Sequence, residues 1–210
     1  HSNLRRQRQM CIRDSLKRIF SSSMPRLVGP KYGGRRKNNV LREYFGALTL
    51  NEADTPAIAV SYDLKKRSTR LFKTFEDKHL KAWKVASATS AAPTFFPAVK
   101  IEENWYIDGA ISSNNPVLIA YAEAKKLWPD ENIKKLSIGT GFDSRSFKGS
   151  STKNWGIFSW LRGGIIQVLM ESNSEHLIAE SLFGKNYLRI NSELNKVHSD
   201  IDLSLIHISE

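Results

Sequence analysis

At 210 residues, with 40% hydrophobic and 25% charged content, the chain has the size and make-up of one globular domain or most of one, which excludes intrinsic disorder. No apolar run reaches the roughly 18–20 residues that a membrane-spanning helix needs, and the basic N-terminus lacks the apolar core of a signal peptide, so the reading is of a cytoplasmic protein. A formal net charge of +11 raises nucleic acid or an anionic membrane as partner, but the basic residues are spread along the chain, as on a solvated surface.

The two ends are set apart first. Gln9-Met-Cys-Ile-Arg-Asp-Ser15 and Leu203-Ser-Leu-Ile-His-Ile-Ser-Glu210 back-translate without interruption into the two strands of a transposase mosaic end used in sequencing libraries. Residues 1–15 and 203–210 are therefore read as sequencing read-through and given no function. Setting them aside removes four arginines and two acidic residues, leaving 28 basic and 19 acidic, and also removes Cys11, the single cysteine, from any redox argument. On this reading residues 16–202 form the domain segment, incomplete at the N-terminal side.

In chain order, residues 16–50 hold a basic amphipathic stretch and the Gly-Pro and Gly-Gly breakers at 29–34, a connecting region, before a helix predicted over Asn38–Phe45. Pro56–Asp63 has the apolar, β-branched character of a buried strand, and Thr69–Phe75 alternates as a half-buried neighbour would, with a hairpin turn at Lys65–Ser68. From Lys78 the spacing of Leu80, Trp83, Val85 and Ala86 predicts a helix bounded by Pro93. Asn104–Asp108 reads as a short strand. Asn115-Pro116 opens a helix over Val117–Leu127, with asparagine at the cap and proline in the first turn. Ile133–Gly139 is a further strand, Ile157–Phe183 supports one or two helices, and Tyr187–Ile190 is a last strand. Strands alternating with helices at this rhythm predict an α/β layered fold with a largely parallel central sheet flanked by helices.

The chemistry sits in Ala86-Ser-Ala-Thr-Ser-Ala-Ala-Pro-Thr-Phe-Phe-Pro97, followed by Asp108-Gly-Ala110 and Asn114-Asn-Pro116. Asp108 ends a strand, so its carboxylate projects where open α/β sheets place ligands. Taken alone, an Asp-Gly pair is more often a plain turn. In this order and spacing, from about Gly29 to Gly141, the motifs resemble the patatin-like phospholipase family of acyl hydrolases, in the C-terminal part of its domain. The resemblance implies a serine-aspartate dyad: a serine in G-x-S-x-G attacks the acyl carbonyl, and Asp108 takes its proton as general base. Gly109 and Ala110 complete the D-G-A motif, Gly109 for a sharp backbone turn and Ala110 to keep the space small. Asn114, Asn115 and Pro116 support the loop, the asparagines by side-chain bonds to backbone and Asn115 by capping.

An aspartate is a weak base in water, so burial must raise its proton affinity. Trp105 and Tyr106, or Phe95 and Phe96, are the aromatics expected to dehydrate it, although any one of them is better explained as ordinary core. The dyad needs none of the five histidines, no metal and no cofactor. No G-x-S-x-G occurs in the 210 residues, and no Gly-rich oxyanion loop precedes Asp108; Ser137-Ile-Gly-Thr-Gly141 has the glycines in the wrong order. The nucleophile is therefore expected upstream. The implied function is hydrolysis of carboxylic esters of phospholipid or another acyl glycerolipid, with a non-catalytic lipid-binding or interaction module of the same fold as the alternative. Anionic lipid explains the basic runs Gly34–Lys37 and Lys65–Arg67 at least as well as nucleic acid, which is not expected as a partner. Trp155–Leu161 is a candidate for peripheral membrane contact, and a buried helix explains it equally well.

Overall fold

A computed structural model describes residues 29–141 and 174–193, together with the isolated positions 149, 153 and 156. The two terminal segments read as read-through, the helices expected before residue 174 and the Trp155–Leu161 stretch apart from Gly156 lie outside the described residues. The chain divides into two compact units, one up to Ser112 and the other from Ser113 to Ser199.

The first unit runs α1 (Gly34–Phe45), β1 (Ile58–Asp63), β2 (Ser68–Lys73), α2 (Ala82–Thr89), β3 (Val99–Ile101) and β4 (Asn104–Asp108). Helix α1 starts one turn earlier than expected, because Gly34 is not a breaker here: it lies in the first turn, where a side-chain carbon would come within 3.0 Å of the Pro97 ring. The four strands pair in the order β2-β1-β4-β3, antiparallel throughout. The expected α/β class holds, but this sheet is not parallel. Two of its three pairings are hairpins: four residues join β1 to β2 and two join β3 to β4, whereas a parallel crossover needs about a dozen. The β3–β4 turn places Glu102 in the left-handed region at φ 52°.

Helix α2 covers one face of this sheet. Phe72, Leu80, Val85, Ala88, Ile101 and Tyr106 form the buried cluster, and the rings of Phe72 and Tyr106 meet edge to face at 5.1 Å. Helix α1 packs on α2, with the Arg42 guanidinium stacked 4.1 Å from the Trp83 ring.

The second unit contains α3 (Val117–Leu127), β5 (Lys135–Ile138), α4 (Ser174–Phe183) and β6 (Tyr187–Ile190). Strands β5 and β6 are the parallel pair among the described residues, with Leu136 opposite Leu188 and Ile138 opposite Ile190. No helix among the described residues is long and apolar enough to cross a membrane.

Candidate active site

Asp108 ends β4 directly opposite Ser61 of β1. Its backbone N–H donates to the Ala91 carbonyl at 3.1 Å, which pins it to the turn following α2. Its Oδ1 accepts from the Ala110 N–H at 2.8 Å, so the carboxylate caps the short 3-10 turn Gly109–Ile111. Burial pushes its proton affinity above the ordinary aspartate value; the Ala110 bond and the charge of Lys37 pull against this without cancelling it. A carboxylate raised in this way is a better proton acceptor than one in water.

The glycine after it has a steric reason rather than a conformational one. Gly109 is absent from the left-handed residues of the chain, so its backbone is open to any amino acid. A side-chain carbon there, however, would fall 2.3 Å from the Val60 carbonyl oxygen and 2.5 Å from its carbon. The same carbonyl accepts the Thr89 hydroxyl, so β4, β1 and the end of α2 meet at one peptide group.

The small-residue block does what its composition suggests. Ala88 and Ala91 are fully buried, and the short side chains let the turn after α2 approach the strand end that carries Asp108. Of the four aromatics considered, Tyr106 and Phe96 are buried, Phe95 is half-buried, and Trp105 points outward with half its surface exposed. Strand alternation separates Trp105 from Tyr106 and puts Tyr106 on the face of Asp108. Thr94, in the same block, is a β-branched residue held at φ 70°.

Lys37 was read as part of a surface basic run and is instead buried. Arg35 and Arg36 beside it are exposed, as are Lys65, Lys66 and Arg67 on the β1–β2 turn. The Lys37 ammonium donates to the carbonyls of Ser87 at 2.9 Å and Ser90 at 3.0 Å, and lies 4.5 Å from the Phe96 ring centre. Burial lowers its pKa to about 8, with Asp108 acting in the opposite sense. No family motif names this residue, and only its helical spacing from the buried Val40 hints at its position.

Asn114, Asn115 and Pro116 belong to the second unit, so the predicted residues fall into two groups. Asn115 is not the helix cap: Pro116 occupies that position, without a side-chain capping bond. The Asn115 side chain is buried and engaged elsewhere. Its Oδ1 accepts from the Ser137 hydroxyl at 2.8 Å, and its Nδ2 donates to the Tyr187 hydroxyl at 3.4 Å. Arg189 donates to Ser137 at 2.6 Å. Glu175 of α4 holds the loop by accepting from the Ser113 hydroxyl at 2.5 Å and the Asn115 N–H at 2.7 Å. Asn114 is exposed. An open cavity of about 470 Å³ adjoins this network, lined among others by Asn114, Pro116, Tyr121, Lys135 and Arg189. Gly139 lies against Asn191, whose Oδ1 accepts from the Gly141 N–H at 2.9 Å.

Two histidines are described: His79 pairs with Glu102 at 2.9 Å on the surface, and His176 bonds the Tyr187 hydroxyl at 3.1 Å. Among the described residues no group of three or more His, Cys, Asp or Glu side chains could hold a metal.

The sequence model of the patatin-like phospholipases matches residues 3–121, which includes all of α1 to β4 and the Asp108-Gly-Ala turn. The chain belongs to the patatin-like phospholipase family. Among curated patatin-like proteins, patatin-like protein 1 of Arabidopsis thaliana is 32% identical over 72% of this chain and 45% of its own length. Patatin-like protein 2 of Oryza sativa subsp. indica is 30% identical over 81% of this chain and 53% of its own. A cGAMP-activated phospholipase of Pseudomonas aeruginosa is 29% identical over 84% of this chain and 58% of its own. The chain thus spans about half the length of the patatin-like relatives it matches.

Proposed function

We propose that this chain is the aspartate-bearing part of a lipid acyl hydrolase that cleaves carboxylic esters of phospholipid or another glycerolipid. Asp108 is the general base of a serine-aspartate dyad. It takes the proton from a serine hydroxyl as that oxygen attacks the acyl carbonyl, giving an acyl-enzyme that water then hydrolyses. The observation that carries this reading is the Asp108 carboxylate itself, fixed at a strand end by Ala91 and Ala110 and raised in proton affinity by burial. Family membership supports the substrate class. Because no G-x-S-x-G occurs in these residues, the nucleophile is assigned to the part of the relatives' length that this chain does not span, and the chain by itself is expected to be catalytically silent. The surplus of basic residues suits peripheral contact with anionic lipid, and a cytoplasmic location goes with that reading.

The second reading, a lipid-binding or interaction module without catalysis, is favoured by one observation, the missing nucleophile. Vesicles containing phosphatidylglycerol and a labelled acyl chain separate the two. Release of free fatty acid by the full-length gene product supports the hydrolase, whereas binding without release supports the module.

A further inference from the structure

We propose that Lys37 is a positioning residue for Asp108, fixing from behind the turn to which the aspartate is tied and placing a positive charge near its carboxylate. The inference deepens the assignment of Asp108 as general base and rests on it.

Lysine is almost never fully buried unless its ammonium is paired, because desolvating the charge is costly. Lys37 is 4% exposed, and the atoms it bonds are neutral: the Ser87 and Ser90 carbonyls, with the Ser90 hydroxyl at 3.4 Å. Those carbonyls belong to the last turn of α2 and its C-cap, the negative end of the helix dipole, and α2 supplies no basic residue of its own there. The cation comes instead from α1, so it locks one helix to the end of the other.

What this lock holds in place matters for the site. The residue after Ser90 is Ala91, whose carbonyl accepts the Asp108 N–H. The path from ammonium to base is therefore one hydrogen bond, two successive peptide units and one further hydrogen bond. The Phe96 ring closes over the ammonium and favours its charged form.

Asp108 is the ionic group that acts on Lys37, and Lys37 acts on Asp108 in return. Of the other charged groups nearby, Lys31 is exposed and lies over the Tyr32 and Phe95 rings. Arg35, Arg36, Arg42 and Glu43 of α1 are exposed, Lys84 of α2 lies toward the Trp83 ring, and Ser90–Pro97 contains no ionisable side chain. A coupling of this kind is reciprocal, so it can be read from either partner.

The direct test is a carbon-detected NMR titration of the Lys37 Cε and Asp108 Cγ signals in the parent chain, Lys37→Met and Asp108→Asn. In the parent, Lys37 should titrate near pH 8, and in Asp108→Asn its midpoint should move lower. In Lys37→Met the Asp108 midpoint should move higher, with an unchanged far-ultraviolet circular dichroism spectrum. An unmoved midpoint in either folded variant overturns the proposal; should Lys37→Met fail to fold, the Asp108→Asn titration decides alone.

In the full-length gene product, Lys37→Met should lower kcat on the order of 10- to 100-fold with KM changed by less than about 2-fold, the pattern of a displaced catalytic group. Unchanged kcat refutes the positioning role. Retained turnover in Asp108→Asn refutes something different, the base assignment, and leaves the titration result standing.

Discussion

Replacing Gly109 with alanine tests the geometry of the site without touching an ionisable group. The added carbon would sit 2.3 Å from the Val60 oxygen, 2.5 Å from the Val60 carbonyl carbon and 2.8 Å from its Cγ1. The first two are backbone atoms of β1, a central strand hydrogen-bonded on both sides, and the oxygen also accepts the Thr89 hydroxyl. Side-chain rotation cannot relieve the clash; β4 must move away from β1, breaking pairing next to Asp108. Overpacking of this sort typically costs about 1–3 kcal/mol, and a backbone obstacle puts Gly109→Ala near the upper value. For a chain of this size, about 3 kcal/mol lowers the melting temperature by roughly 6–12 °C. Thermal unfolding followed by circular dichroism would measure it, with Gly156→Ala, where nothing lies within 4 Å, as the control. If Gly109→Ala melts within about 1 °C of the parent, the close approach of β4 to β1 is wrong, and with it the steric reason for the D-G-A glycine.

Three further outcomes follow from particular residues. Burial holds the folded pKa of Asp108 above the ordinary 3.8, so between those values the folded state binds the extra proton and stability falls as pH rises through that window. Asp108→Asn should therefore melt higher than the parent at pH 7, the difference closing below the ordinary value; a lower melting point at pH 7 would contradict the sign. Thr94→Asn removes a β-branched side chain from φ 70° and should stabilise by about 1 kcal/mol in urea unfolding, whereas a loss would show that the threonine is not strained. Asn115→Ala strips Ser137 of its buried acceptor and should destabilise by about 1–3 kcal/mol in the same assay, while a cost near zero would count against the network.

Much of this was legible in the sequence. Asn104–Asp108, Val117–Leu127 and Tyr187–Ile190 coincide with β4, α3 and β6, because each carries a clear periodicity and a bounding turn or cap signal. Asp108 was singled out by its motif neighbours, and the structure packs the small-residue turn after α2 against the strand end that carries it. The hairpin of β3 was silent because its turn uses Glu102 at a left-handed position, where glycine or asparagine would have announced it. Sheet direction was misjudged because the alternation of strands and helices counts elements, not the loops joining them. Lys37 was hidden in a basic run: composition gives charge but not which face a side chain occupies. Asn115 looked like a cap because asparagine before proline fits that role locally, whereas its partners Ser137 and Tyr187 lie 22 and 72 residues further on.

The central claim is that Asp108 is the base, and one rate measures it: turnover of a chromogenic fatty-acyl ester by the full-length gene product carrying Asp108→Asn. Asparagine keeps an oxygen for the Ala110 N–H but cannot take a proton. The account predicts loss of turnover in a folded protein. Turnover at the parent rate would contradict it.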